Sequence, residues 1–214
     1  MRKFALILLL NLAILLPEMA INLFASENAN DNSVSVRRIT MYDGLPANGV
    51  RNVLQDKHGF VWFGTDNGLC RYDGYGVQTF YNPYAKFDQF ISALYDAGED
   101  LIVGTANGAY VFSFQTEQFT PLCEKIRGNV SCIVEDKEDN IWVGTFSNGI
   151  YRYNRNQHAL THYPMKQWKG CIGCLSVSDD NQIWAMTIKL HALPYRLNKS
   201  RDQFDPVHLQ GDMK

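Results

Sequence analysis

Two groups of side chains have the types and spacing that chemistry would need: Cys171-Ile172-Gly173-Cys174, and His158 with His162. A Cys-x-x-Cys pair is half of a zinc site or a dithiol redox centre. No second Cys or His pair stands at metal-site spacing, and no strand–helix–strand pattern surrounds the motif. The reading that remains is small apolar residues entering a strand. His158 and His162 fall on a predicted strand, where four positions put them on one face about 13 Å apart. That is too far for one metal ion, and His58, His191 and His208 add no ligand spacing. The sequence therefore assigns no catalytic residue, no metal ligand and no cofactor, and leaves any ligand-binding residue open.

The elements that would position such residues follow a repeat. Val61-Trp62-Phe63-Gly64-Thr65 returns as Ile102-Val103-Gly104-Thr105, as Ile141-Trp142-Val143-Gly144-Thr145 and, worn, as Ile183-Trp184-Ala185-Met186-Thr187. The threonines stand 40, 40 and 42 residues apart. A fixed period near forty marks a repeat architecture, propeller blades in particular. One copy parses into four strands: Val50 to Gln55, Phe60 to Thr65, Leu69 to Tyr72 and Val77 to Tyr81. Asp66-Asn67-Gly68 is expected to close the central hairpin with positive φ at Asn-Gly. The second strand is apolar at successive positions, which suits a sheet covered on both faces. Gly64, Gly104 and Gly144 are expected where the backbone needs close approach. Aspartate opens the first turn in three copies, at Asp56, Asp96 and Asp136, and Ser178 replaces it in the fourth. Copy four also lacks the Asn-Gly hairpin; Ile188 to Pro194 reads either as an irregular loop with a functional tip or as drift.

Ahead of the repeats, Arg2 and Lys3 precede an apolar run from Phe4 to Leu16, and Leu23-Phe24-Ala25 fits cleavage after Ala25. Residues 1–25 are read as a signal peptide, with an uncleaved anchor as the alternative. Residues 26–33 are a polar linker, and Val34 to Met41 is a short strand candidate. The partial propeller spans 34–214, with repeats near 44–84, 85–123, 124–165 and 166–207. Export places Cys70, Cys123, Cys132, Cys171 and Cys174 where disulfides persist; Cys123 and Cys132 could bridge, but sequence does not pair them. Twenty basic against 22 acidic residues leave no basic excess for a nucleic-acid surface.

Gly44 to Gly74 closely resembles the two-component regulator propeller repeat, Val130 to Tyr153 resembles it again, and Ser92 to Phe112 and Ile172 to Thr187 do so more loosely. The resemblance implies the N-terminal periplasmic sensor of a hybrid two-component regulator, with histidine kinase, receiver and DNA-binding domains elsewhere. It also implies an all-β fold: about four four-stranded antiparallel blades forming an incomplete, open part of a seven-bladed propeller. The expected partners are an oligosaccharide or polysaccharide-derived ligand and further blades, and this chain alone is expected to catalyse nothing. The repeat motif consists of fold residues, so no ligand residue carries over. A secreted propeller lyase or glycosidase, whose turns also lead into a Trp as Asp136 to Trp142 does, is the alternative, with an interaction scaffold as the third. Tyr72, Tyr75, Tyr81 and Tyr84 lie in or beside turns, where residues that stack on sugars would sit; rim packing is the commoner fate of such tyrosines.

Overall fold

The computed structural model describes residues 36–85, 88–168, 170–188, 192–200 and 202–207. The predicted signal peptide and linker lie outside them. Contacts divide the chain into units 1–38 and 39–214, and all the strands belong to the second.

Sixteen strands form four sheets among the described residues. The first holds β1 (Val50–Gln55), β2 (Val61–Thr65), β3 (Gly68–Tyr72) and β4 (Val77–Phe80), and the second β5 (Ile91–Asp96), β6 (Asp100–Thr105), β7 (Gly108–Ser113) and β8 (Phe119–Pro121). In the third are β9 (Val130–Glu135), β10 (Asn140–Thr145), β11 (Gly149–Asn154) and β12 (Ala159–Tyr163); the fourth comprises β13 (Cys171–Val177), β14 (Ile183–Ile188), β15 (Pro194–Asn198) and β16 (Gln203–Pro206). Each is an antiparallel meander with strands in chain order. First strands pack against first strands, β1 on β5, β5 on β9 and β9 on β13. These are four blades of an open propeller. Among the described residues there is no α-helix, only 3-10 turns at Met41–Asp43 and Met165–Gln167.

The expected strand at Val34 to Met41 does not form over its described part. Residues 36–40 belong to no strand, and Thr40 instead caps the 3-10 turn, accepting from Tyr42 N while Asp43 accepts from Thr40 N. A capping box satisfies these backbone groups locally, and Arg37-Arg38 offers no apolar face to hold a strand down. The hairpin chemistry also differs from expectation. The two-residue loop is Asp66-Asn67, Thr65 pairs with Gly68, and positive φ (124°) falls on Gly68 and not on Asn67. Thr65 Oγ1 steadies the loop, donating to Gly68 O at 2.8 Å and accepting from Asn67 N at 3.1 Å. Thr105 repeats both bonds, and Thr145 does so across its one-residue-longer loop.

The core lies between sheets, one cluster per neighbouring pair. Trp62, Leu69, Phe80, Ile91, Leu101, Val103, Phe112 and Phe119 join sheets one and two. Ile102, Val130, Ile141, Val143 and Tyr151 lead the second cluster, and Trp142, Tyr163, Trp168, Ile172 and Phe204 the third. Trp62 is fully buried and packs its ring against Phe112 and Phe114. Burying about 150–250 Å² per indole stabilises by roughly 4–6 kcal/mol at ~25 cal/mol per Å².

Sequence reading expected Trp62, Trp142 and Trp184 at equivalent buried sites. The three are equivalent in register, opposite Arg71, Arg152 and Arg196, but Trp184 is only half-buried. The side chains of Trp62 and Trp142 reach the next sheet; Trp184 occupies the face turned away from sheet three, as do exposed Met186 and Ile188. Sheet one shows the mirror situation, with Val61 and Phe63 half-buried and Val53 exposed. Among the described residues the two middle sheets are the ones covered on both faces, and there Leu101-Ile102-Val103 and Ile141-Trp142-Val143 disappear from solvent.

The glycines fit against side chains of the next sheet, where backbone approach was expected. A Cβ on Gly64 would stand 2.8 Å from Ile91 Cγ2, on Gly104 2.6 Å from Val130 Cγ1, and on Gly144 2.9 Å from Ile172 Cγ2. Each second-strand glycine is thus a notch that receives a β-branched residue from the following first strand.

Candidate functional site

The connections gather at two ends. One carries the β2–β3-type hairpins and the links between sheets; the other carries the β1–β2 and β3–β4 turns. At the first end a cavity of about 300 Å³ opens between Tyr84 of the β4–β5 link, the β6–β7 hairpin and the β8–β9 link. Tyr84 and Tyr110 stack at 5.8 Å with 24° between rings. Asn107, Glu124 and Arg127 bring an amide, a carboxylate and a guanidinium to its wall.

Local chemistry holds this wall in place. Leu122 N donates to Ala109 O at 3.0 Å, pinning the β8–β9 link to β7, and Ile126 N closes a turn onto Cys123 O at 3.1 Å. Ile126 is buried and anchors the link. Its carbonyl approaches Gly108, where a Cβ would meet it at 2.8 Å and where φ is +143°, so only glycine fits. Asn148 Nδ2 of sheet three donates to Arg127 O at 3.1 Å. Burial pushes the Tyr110 phenol upward, the Arg127 charge opposes this and Tyr84 adds to it. At neutral pH the Tyr110 hydroxyl is therefore a protonated hydrogen-bond donor. The lining includes one carboxylate, where acid–base cleavage of a glycosidic bond commonly uses two. Stacked rings with amide, carboxylate and guanidinium groups suit the recognition of a polyhydroxylated ring.

The structure divides the four tyrosines singled out by sequence. Tyr81 and Tyr84 belong to the cavity end, where Tyr84 lines the cavity. Tyr75, almost fully exposed, lies in the β3–β4 turn at the opposite end, and Tyr72 OH donates to Gly74 O at 2.6 Å there. Tyr110 was not singled out, because it reads as an ordinary strand residue; its partnership with Tyr84 crosses two sheets. His158 is not on a strand but in the turn before β12, with φ +52° and Nδ1 3.0 Å from Tyr153 OH. His162, on β12, stacks on Tyr151 at 4.3 Å and meets Asn148 O at 2.7 Å through Nε2. His191 and His208 lie outside the described residues. All five cysteines are free thiols, Cys123 and Cys132 included. Among the described residues no three His, Cys, Asp or Glu side chains group as a metal site, and no helix is long and apolar enough to cross a membrane.

Two polar systems escaped sequence reading. Asp56 Oδ2 accepts from Trp62 Nε1 at 2.7 Å, and Asp136 Oδ2 from Trp142 Nε1 at 2.7 Å. The same carboxylates close their own turns, taking His58 N and Phe60 N in one case and Glu138 N and Asn140 N in the other. The six-residue Asp-to-Trp spacing was the available signal. Secondly, Arg71, over the Trp62 ring, pairs with Glu117 of the next sheet at 3.0 Å, and Arg152, over Trp142, pairs with Asp202 at 3.2 Å. Both acids sit at positive φ just before a last strand. The junction of sheets two and three has Ile102, Val111 and His158 at these places.

The family model described as two component regulator propeller matches residues 44–67 and 126–147. Two stretches of the chain therefore match the regulator propeller repeat. The matched segments cover the Asp56–Trp62 and Asp136–Trp142 turns, so the repeat signature coincides with the carboxylate–indole bond. Among solved structures, the extracellular domain of the hybrid two component system BT4673 from B. thetaiotaomicron aligns at 24% identity and TM-score 0.67, over 79% of this chain and 23% of that one. That of BT3049 from B. thetaiotaomicron aligns at 19% and 0.68, over 82% and 27%. Virginiamycin B lyase from Staphylococcus aureus aligns at 14% and 0.63, over 79% and 58%. These likenesses establish the propeller fold. This chain spans about a quarter of the length of the first two structures. A search of curated proteins gave no match.

Proposed function

We propose that this chain is the N-terminal, extracytoplasmic ligand-sensing part of a hybrid two-component regulator and that it responds to a glycan by binding it, without turnover. The kinase, receiver and DNA-binding parts belong to other segments or chains. The regulator propeller repeats and the signal-peptide pattern at 1–25 support the sensor reading. The observation that carries the ligand class is the Tyr84–Tyr110 stack with Asn107, Glu124 and Arg127 in the cavity wall. Rings of this kind take the apolar face of a sugar while the amide, carboxylate and guanidinium meet its hydroxyls.

The test is calorimetric titration of the purified chain with short neutral oligosaccharides of defined linkage, beside Tyr84→Ala and Arg127→Ala. Each variant should weaken binding about tenfold or more, the loss of roughly 1.4 kcal/mol. An oligosaccharide bound equally well by both variants would place the site elsewhere, and product appearing in the cell would revive the enzyme alternative.

A further inference from the structure

The three sheet-to-sheet junctions follow two rules, and the uncovered face of sheet four obeys one while inverting the other. The first rule concerns charge. Where a sheet presents Trp on its second strand and Arg opposite on its third, the next sheet supplies a carboxylate from the left-handed turn ahead of its last strand. Arg71 takes Glu117 and Arg152 takes Asp202. The second rule concerns shape. The second-strand glycine receives a β-branched residue from the next first strand: Gly64 with Ile91, Gly104 with Val130, Gly144 with Ile172.

On sheet four, Trp184 pairs with Arg196 in the register that Trp142 keeps with Arg152. Arg196 is exposed, and no carboxylate among the described residues is within ion-pair distance of it. The notch, however, is filled by Met186, which pairs with Cys174 as Gly144 pairs with Cys132. At the glycine positions a Cβ already meets the incoming residue within 3 Å, so a Val or Ile arriving on Met186 would be blocked.

We propose that the outer face of sheet four is a docking surface for one further four-stranded sheet of the same repeat, with two distinguishing residues. It carries Gly or Ala where the other sheets have Ile91, Val130 and Ile172, leaving room for Met186. It carries Asp or Glu in the turn before its last strand, facing Arg196. The inference rests on the propeller-repeat reading and not on the glycan site. A second copy of this chain, presenting sheet one, meets neither demand: Val50 stands at the first-strand position and Tyr75 at the turn position.

The test extends the full chain with a second copy of residues 166–207 joined after residue 207, its own Cys171 and Cys174 changed to Ser. Cys174 of the host is exposed, whereas its register equivalent Cys132 is covered by sheet four. Docking therefore reads out as protection of host Cys174 from alkylation, with circular dichroism reporting whether the added copy folds. With Ile172→Gly in the added copy, labelling of host Cys174 should slow about tenfold or more. With Ile172 kept there it should not slow, and Met186→Gly in the host should restore protection to that chain. Asp202→Ala in the Ile172→Gly copy should return most of the reactivity. Equal protection with and without Ile172→Gly overturns the shape rule, and indifference to Asp202→Ala overturns the charge rule. An added copy that neither folds nor protects in any of these chains overturns the proposal as a whole. So does concentration-dependent protection of Cys174 in the unextended chain, which would make a second copy the occupant.

Discussion

Asp136 should be among the costliest single side chains to lose in this chain. Its Oδ1 accepts from Glu138 N at 2.9 Å, Asn140 N at 3.1 Å and Asn140 Nδ2 at 3.0 Å, and its Oδ2 from Trp142 Nε1 at 2.7 Å. Asp136→Ala leaves the indole N–H of a residue 1% exposed without its acceptor. An orphaned buried donor costs about 1–3 kcal/mol, and the charge-assisted bonds that close the turn bring the total to about 3 kcal/mol or more. For a chain of this size that is a fall in melting temperature of roughly 6–12 °C. Trp142→Phe removes the stranded donor, so the double variant should lose about 1–3 kcal/mol less than the sum of the singles. Asp96→Ala is the matched control, because Ile102 has no donor there and Asp96 closes its turn through Gly98 N; it should cost about 1 kcal/mol or less. The effect also carries a pH signature. Burial raises the Asp136 carboxyl, but the bonds from Trp142, Asn140 and the turn amides outweigh it and leave the group below its ordinary value. A depressed folded-state pKa gives stability that is complete above about pH 4 and lost as pH falls through the folded value. The gap between Asp136→Ala and the parent should therefore narrow in that acid range. Strict additivity with Trp142→Phe in thermal or urea unfolding, or a gap that widens in acid, would refute the reasoning.

Gly104→Ala should destabilise by about 1–3 kcal/mol, since its Cβ would meet Val130 Cγ1 at 2.6 Å; adding Val130→Ala should recover part of it, and no recovery in urea unfolding would count against the notch. The thiols should be alkylated in order of exposure, Cys174 first, with Cys70 and Cys132 unreactive until unfolding; burial pushes Cys132 up to about 11. Mass spectrometry of partly labelled protein checks this, and early loss of Cys132 would contradict the packing of sheet three on sheet four.

The fold was legible because three of the four repeats state the same local instruction and the fourth keeps their spacing. A turn led by Asp, an apolar second strand and a glycine near its end recur in register, and each sheet closes its hydrogen bonds within about forty residues. What stayed illegible is what passes between repeats. Arg71 and Glu117, or Arg152 and Asp202, look like ordinary surface charges until the sheets are stacked, and Trp184 looks like Trp142 until its neighbours are counted. The cavity was half visible: Tyr84 announced itself beside a turn, while Tyr110 was hidden in a strand whose alternation gave it no special meaning. The strand expected at Val34 to Met41 failed because alternation is weak evidence where Thr40 and Asp43 can satisfy the backbone within three residues.

The difference in kind between junctions has a genetic consequence. Because each sheet contacts only its neighbours, whole sheets are the units that an array of this kind can lose. Loss of sheet two alone would set the Trp62–Arg71 face against the turn of sheet three, where His158 stands and an acid is wanted. Loss of sheets two and three together would bring that face onto Asp202 of sheet four, a matched join, with Gly64 receiving Ile172 as it now receives Ile91. Viable internal shortening that keeps sheets one and four should therefore remove sheets two and three together, and the spacing of Arg and acid along the array would preserve the record of it.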